Sequence, residues 1–460
     1  MKTQNEKALL DRFTPAQALM FYYALTILLG ALLLTTPWAA RGKPLSFVDA
    51  LFTATSAQCV TGLSVIDIGT RLSGFGQSVV LALIQIGGLG IMTFSVYLFI
   101  YLRVGVSIRG RWIINETLLH TPISSWRELI RDVFLMTLII EALGTLLLAV
   151  AFVPRLGFWP GLYSAAFHSV SAFCNAGFSL FPDSLISYRA NPLVNITLLI
   201  LIVLGGIGFL VIRELLQTGY SKMSSPQRTV RISLHTKIVL VTTMALIVGG
   251  SLAIGIIENN AALAGMPVAE KIWTSLFQAI TARTAGFNTI DLNSFEVPTI
   301  FLIIFLMFIG ASPGSAGGGV KTTSLALFYA IFSSRLKGQP HTSLFRRTIP
   351  DDAINKAFSL VLLAITLIGV ALFALLIVQT TDPAHENKRL FLSYLFETFS
   401  AFTTTGLSLG ATNSLSDAGK VIIILLMFAG RVGLLTMAFA IAGKTRNFSA
   451  RYAEENIMIG

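Results

Sequence analysis

The sequence is poor in charge. Asp, Glu, Lys and Arg make up 12% of its 460 residues, against about 25% in an ordinary soluble domain. Hydrophobic residues make up 54% and mean hydropathy is +0.76, which excludes a soluble globular chain and indicates an integral membrane protein. Cysteine is nearly absent. The two present, Cys59 and Cys174, each stand three residues before a repeated glycine described below, which favours separate free thiols over a disulfide. The five histidines are scattered without metal-ligand spacing, and His168 reads as a packing or hydrogen-bonding residue. Neither a nucleophile elbow, nor HExxH, nor a paired-cysteine motif occurs, so nothing supports an enzyme. No cleavable signal is evident, because the polar opening leads into an apolar run at 16–36 that reads as a first span. The net charge of +11 sits beside apolar runs, where membrane topology explains it and nucleic acid is not an expected partner.

What the chain has instead is one motif in four copies. FTATSAQCVTGL begins at Phe52, FHSVSAFCNAGF at Phe167, FETFSAFTTTGL at Phe396, and the shorter FQAITARTAGF at Phe277. Each opens on Phe, has Ser or Thr four residues on, then Ala, then a stretch ending in Gly62, Gly177, Gly286 or Gly406. These glycines recur after 115, 109 and 120 residues (177 − 62, 286 − 177, 406 − 286), so the units are of nearly equal size. An apolar half-helix followed by a glycine-ended segment exposes backbone carbonyls, which are tolerated at membrane depth only where they face a water-filled path. Such carbonyls can replace the hydration shell of a cation, and the helix C-terminus adds partial negative charge. The candidate selectivity filter is Val60, Thr61 and Gly62; Asn175, Ala176 and Gly177; Thr284, Ala285 and Gly286; and Thr404, Thr405 and Gly406.

Lys and Arg decide the orientation. They gather at the termini and between the units, whereas the half-helix segments hold few, so both termini are expected in the cytoplasm and the half-helices on the outer side. Each unit reads as a full span, an outer loop, a half-helix with filter, and a second full span. First spans are expected at 16–36, 133–153, 238–257 and 358–378, and second spans at 78–101, 194–216, 299–332 and 421–442. The expected fold is an all-α membrane protein of four pseudo-symmetric helix–pore-helix–helix repeats around one ion pore, dividing at 1–110, 111–230, 231–340 and 341–460.

Every second span carries a further glycine site: Gly87-Gly88, Gly205-Gly206, Gly310 and Gly430. In the first, second and fourth units these read as close helix packing. In the third the span breaks into Gly310, Ala311, Ser312, Pro313, Gly314, Ser315, Ala316, Gly317, Gly318, Gly319, Val320 and Lys321, and a proline among so many glycines cannot sustain a helix. This run resembles a phosphate loop, but Val320 separates Gly319 from Lys321 and no buried strand precedes it, so no nucleotide site is expected on this chain. It reads as a mobile loop lying across the pore. Lys321 and Arg431 are cations at membrane depth, which by default suggests function. For Arg431 a clasp to Glu141 or to loose carbonyls stands beside a direct effect on ions. Gly430 and Gly310 lie equally far beyond their filters (430 − 406 = 24, 310 − 286 = 24), so Arg431 is expected to donate to the loop and hold it as a gate. Arg283 is expected to point behind the filter toward Glu397 or Asp49.

The four filter glycines, RTAGF at 283–287, GASPGSAGGGVKTT at 310–323 and FAGR at 428–431 together resemble the Trk/Ktr/HKT superfamily of potassium transporters over essentially the whole chain. The likeness is closest to the KtrB-type membrane subunit, because no extra helix pair precedes the first span. The resemblance implies K+ at the filter residues, a homodimer with two pores, and channel-like potassium uptake across the plasma membrane that is often dependent on Na+. It also implies a cytosolic ring of nucleotide-binding KtrA-type regulatory subunits. With glycine at all four filter positions, the resemblance implies potassium over sodium. A different class, a secondary carrier of a monovalent cation with alternating access, is also built from broken helices. Inverted repeats would alternate the basic bias, whereas here every unit starts and ends on the basic side. A membrane ATPase would need an acidic magnesium partner after a strand, and none is present. The apolar end at 457–460 is expected in a dimer contact, with membrane lipid covering the remaining apolar surface.

Overall fold

The computed structural model describes residues 15–104, 126–224, 232–379, 389–434 and 437. Among them, five helices are long and apolar enough to cross about 30 Å of hydrocarbon: Ala16–Leu34, Gly74–Phe94, Ile130–Leu156, Leu234–Ile257 and Asp351–Gln379. They turn large apolar side chains outward; Leu362 is 70% exposed and Phe373 67%. So much apolar surface is stable only where lipid tails cover it.

In chain order the helices are α1 (Pro15–Leu34), α2 (Phe47–Gln58), α3 (Ile68–Arg71), α4 (Gly74–Val104), α5 (Trp126–Leu156), α6 (Phe158–Phe173), α7 (Pro192–Ile207), α8 (Phe209–Ser224), α9 (Leu234–Ile257), α10 (Val268–Thr281), α11 (Val297–Phe308), α12 (Thr322–Leu336), α13 (Asp351–Gln379), α14 (Arg389–Thr403) and α15 (Asp417–Val432). A long helix followed by a short one recurs four times, as α1 and α2, α5 and α6, α9 and α10, and α13 and α14. The short members α2, α6, α10 and α14 have 12, 16, 14 and 15 residues, about 18–24 Å at 1.5 Å per residue, too little for a crossing. Trp38, after α1, and Trp159, at the start of α6, are 77% and 75% exposed; exposed tryptophans flanking spans suit a membrane interface. The strands described are two residues each, Ser343–Leu344 paired antiparallel with Arg347–Thr348.

The phenylalanine that opens each motif explains the docking of the short helices. Phe52, Phe167, Phe277 and Phe396 are fully buried, and burying such a side chain is worth about 1.5–3 kcal/mol. The core runs around the molecule. One cluster joins Val60 with Phe167, Cys174, Phe277 and Phe287; another joins Phe52 and Leu63 with Phe402 and Met427; a third joins Leu292 and Met307 with Phe396 and Leu407. Two ion pairs join different units, Lys420 with Asp49 at 2.7 Å and Arg189 with Glu270 at 3.4 Å.

The expected first spans fall on α1, α5, α9 and α13, and 78–101 falls within α4. An unbroken span at 194–216 is corrected by the structure: α7 stops at Gly208, φ 92°, and the chain bends by 103° into α8. The cause is competition for backbone partners. The carbonyls of Gly205 and Gly206 accept the N–H groups of Ala316 at 3.1 Å and Ser312 at 2.9 Å, while Phe209 N–H donates to Gly314 O at 3.1 Å. The third inner span is interrupted between α11 and α12, where its glycines and proline are. The end of the expected fourth span at 438–442, the linkers around Arg109 and Arg228, and the apolar end at 457–460 lie outside the described residues.

Candidate functional site

All four short helices run into their loops with the same backbone conformation. The residue two before the glycine has positive φ, 55° at Val60, 59° at Asn175, 73° at Thr284 and 53° at Thr404. The glycine is positive again, 94° at Gly62, 69° at Gly177, 80° at Gly286 and 87° at Gly406. A left-handed L-residue costs about 1–2 kcal/mol, so four at matching positions mark a shape the surrounding fold imposes.

The hydrogen bonds show what that shape does. Thr61, Ala176, Ala285 and Thr405 donate their N–H groups back to Ser56, Ser171, Thr281 and Ser400 carbonyls at 2.8, 2.7, 2.9 and 2.9 Å. The hydroxyls of Ser56 and Ser400 accept from Gly62 and Gly406 N–H at 3.1 and 3.0 Å. Those of Ser171 and Thr281 donate to the Phe178 and Phe287 carbonyls, both at 2.8 Å. The Ser or Thr of each motif is thus the post to which the loop is tied. The donors face the helix, and among the described residues the carbonyls of Val60, Thr61, Asn175, Ala176, Thr284, Ala285, Thr404 and Thr405 accept no hydrogen bond.

The loops meet in a closed ring. A methyl group on Gly62 would lie 2.5 Å from Ala176 O, on Gly177 2.7 Å from Ala285 O, on Gly286 2.4 Å from Thr405 O, and on Gly406 2.1 Å from Thr61 O. Each contact passes to the next unit and the last returns to the first. A second tier of glycines seats the inner helices on the short-helix ends: methyls at Gly87, Gly205 and Gly430 would meet the carbonyls of Gln58, Phe173 and Phe402 at 1.9, 1.9 and 1.7 Å.

Residues 310–321 lie directly beneath this ring. Methyls on Gly317 and Gly318 would strike Thr284 Oγ1 at 2.1 Å and Thr404 Oγ1 at 2.4 Å. The loop is folded on itself: Ala311 N–H bonds Gly318 O at 3.3 Å and Val320 N–H bonds Phe308 O at 3.2 Å. Ser315 Oγ donates to Ser312 O at 2.6 Å, and Ser312 Oγ meets Thr322 Oγ1 at 2.9 Å. Gly314 and Gly319 take positive φ, 74° and 70°, and Pro313 O packs against Gly208, where a methyl would come within 2.6 Å. Gly310 backs onto Gly318 O, 2.3 Å from where its methyl would be. Lys321 Nζ curls back to Gly317 O at 2.8 Å.

Arg431 ties the loop to the rest of the molecule. Its Nη1 donates to Ala316 O and its Nη2 to Gly87 O at 2.7 Å, an oxygen that also accepts from Tyr23 Oη at 3.0 Å. Of the two clasps considered, it meets carbonyls; Glu141 accepts instead from Gln85 Nε2 at 3.0 Å. The expectation for Arg283 is corrected. It is buried, and its Nη2 donates to Thr243 Oγ1 on α9 at 3.4 Å. Glu397 is occupied by Ser408 and by Thr412 at 2.7 Å, and Asp49 by Lys420. Sequence reasoning missed Gly208, Tyr23 and the Gly87 carbonyl. The run GGIGF at 205–209, a glycine pair followed at once by Gly-Phe, was the available signal for the bend.

A helical membrane protein whose re-entrant loops close a ring of unpaired carbonyls above a buried glycine loop is built as a cation-transport protein. The family model TrkH, "Cation transport protein", matches residues 6–449, and the chain belongs to that family. It is 41% identical to Ktr system potassium uptake protein B of Bacillus subtilis (strain 168), covering 98% of this chain and 97% of that one. It is 35% identical to potassium/sodium uptake protein NtpJ of Enterococcus hirae over the full length of both. The crystal structure of the potassium transporter TrkH from Vibrio parahaemolyticus matches with a TM-score of 0.69 at 18% identity, covering 91% of this chain and 83% of that chain, a likeness of fold.

Proposed function

We propose that this chain takes up potassium across the plasma membrane, with both termini in the cytoplasm and the four loops acting as repeats around one ion pore. The observation that carries the reading is the ring in which N–H groups are turned back to the short helices and carbonyls are left without donors. A cation that sheds water there finds backbone oxygens in place of its hydration shell, helped by the negative ends of four short helices. Potassium is the ion in the names of the relatives. Sodium is kept as a candidate co-ion, since one of them is named a potassium/sodium uptake protein.

In this reading residues 310–321 are the gate. The loop blocks the path beneath the ring, Arg431 adds positive charge and two N–H donors that hold it there, and opening requires it to leave its seat on Gly205 and Gly206. A moving loop under a fixed ring is channel-like and needs no alternation of the whole molecule, which favours it over the carrier. The assembly is a homodimer on a cytosolic KtrA-type nucleotide-binding ring. Support for the ring comes from the exposed Arg346 and Arg347 on the hairpin and from relatives named as one component of a Ktr system.

The test is flux of a potassium congener into liposomes holding purified protein, competed with potassium or sodium. Potassium should compete and sodium should not. Equal competition by both would sink the filter reading, and flux through Arg431→Gln no faster than through the parent would sink the gate.

A further inference from the structure

The residue after the invariant phenylalanine, and the residue two beyond the filter glycine, carry roles that the reading so far leaves unused. In the second unit they are His168 and Ser179, with His168 Nε2 2.9 Å from Ser179 Oγ. In the fourth they are Glu397 and Ser408, joined by a hydrogen bond from the serine hydroxyl to Glu397 Oε1. Both pairs are 11 residues apart, so each closes a loop of one length around its filter triplet. We infer that His168 and Glu397 are positioning residues that clamp the outer ends of two filter loops and so help set which ion the ring accepts. This rests on the filter reading above.

The two clamps have the same polarity. His168 Nδ1 lies 2.7 Å from Ser164 O, and a carbonyl only accepts, so Nδ1 carries the proton in the neutral ring. Nε2 then offers a lone pair, and Ser179 donates to it in preference to Ser184 O, which is farther at 3.3 Å. Glu397 likewise receives the Ser408 proton. Both serines accept on their other side from the N–H two residues on, Phe181 at 2.9 Å and Gly410 at 2.8 Å. Each hydroxyl therefore shapes the turn just outside the filter and is itself anchored to the short helix. His168 is held by stacking on Phe181, ring centroids 4.7 Å apart, and both clamp residues are fully buried, where a polar group is costly unless bonded.

The other two units lack the clamp. Thr53 and Ser64 have the same separation (64 − 53 = 11), but Thr53 Oγ1 donates to Asp49 O at 2.8 Å and Ser64 Oγ to Ile66 O at 2.5 Å. In the shorter third unit Gln278 and Asn288 are one residue nearer (288 − 278 = 10), and Gln278 Nε2 and Oε1 and Asn288 Oδ1 are left unbonded. Because the glycine contacts run from first to second to third to fourth unit, the clamped units face each other across the ring. A fourfold ring is thus held twofold. Each clamped triplet is tied to its helix at both ends, by the Ser171 or Ser400 backbone inside and by His168 or Glu397 outside. It cannot close around a smaller ion without breaking a buried hydrogen bond.

The experiment reads potassium-over-sodium preference of the purified full chain in liposomes. Ser179→Ala and Ser408→Ala should each lower it roughly fivefold, the worth of one hydrogen bond, and the pair should lower it further. His168→Gln, which keeps an acceptor, should preserve more of the preference than His168→Phe, which keeps the stack alone. Ser64→Ala and Asn288→Ala should leave it unchanged. Thr412→Val removes a second side-chain donor to Glu397 and should lower only thermal stability. Gly406→Ser tests the filter separately: if it leaves preference unaltered, the filter reading falls and the clamp with it. If Gly406→Ser shifts preference while the two serine variants shift it no more than Ser64→Ala, the clamp is overturned and the filter stands. Should Ser408→Ala fail to fold, Glu397→Gln, which keeps the volume and weakens the bond, decides by the same criterion.

Discussion

A methyl group at Gly406 would come 2.1 Å from Thr61 O, and φ there is 87°. Serine at this position meets both obstacles. The left-handed strain of about 1–2 kcal/mol pulls its own backbone out of place and the clash pushes the Thr61 carbonyl off the ring, so Gly406→Ser should reduce potassium preference roughly tenfold. Competition uptake assays measure this; an unaltered ratio would show that the carbonyls do not select. Arg431 is the second residue whose chemistry is specific. Its guanidinium reaches two carbonyls in different units, Ala316 and Gly87, and the amide of glutamine has neither the reach nor the charge. A charge-assisted hydrogen bond is worth about 1.5–3 kcal/mol, so Arg431→Gln should raise flux without the regulatory partner by roughly tenfold or more, with ion preference kept. Flux no faster than the parent would mean that the loop is structural.

The bend between α7 and α8 shows how one element is shaped by another. Gly208 combines a φ of 92° with a contact to Pro313 O that no side chain can share, so Gly208→Ala should displace the near end of the loop from its seat. The expected result is a loss of about 1–2 kcal/mol in stability, together with raised basal flux; thermal unfolding and liposome flux measure the two. A fall in stability alone would place Gly208 in the fold and outside the gate. The glycine loop itself was legible from composition, since its glycines and Pro313 exclude a helix. Its destination was not, because the carbonyls of Gly205 and Gly206 become its acceptors only when the second unit is folded beside the third.

At the scale of the whole molecule the units are joined by shared apolar clusters and by two ion pairs between units. Their side chains are 15–31% exposed, and fully exposed pairs contribute about 0–1 kcal/mol, so two such contacts are small beside the apolar clusters that join the units. In the proposed orientation the cytoplasmic side presents Arg346 at the tip of the hairpin, φ 62°. Charge reversal there, combined with Arg109→Glu and Arg228→Glu, should abolish nucleotide control of flux by an added regulatory ring, with expression and unregulated flux intact. Control that survives the triple variant would put the docking site elsewhere.

The sequence by itself determined that the chain is membranous, that a short helix and glycine recur four times, and that one inner helix cannot be continuous. These are matters of hydropathy, spacing and backbone chemistry, which are local and need no neighbours. It also placed Arg431 at the depth of the loop by counting alone. Tertiary structure decided the rest: that the four loops close in the order of the chain, that Arg283 reaches Thr243 and no carboxylate, that α7 breaks at Gly208, and that two diagonal loops are tied down by His168 and Glu397 while two are not. Each of these turns on which donor reaches which acceptor first. For the loop and the bend that competition is settled between segments a hundred or more residues apart, such as Arg431 and Ala316, separated by 115; for Arg283 and the two clamped loops it is settled between residues 40 and 11 apart, which only the folded chain brings to bonding distance.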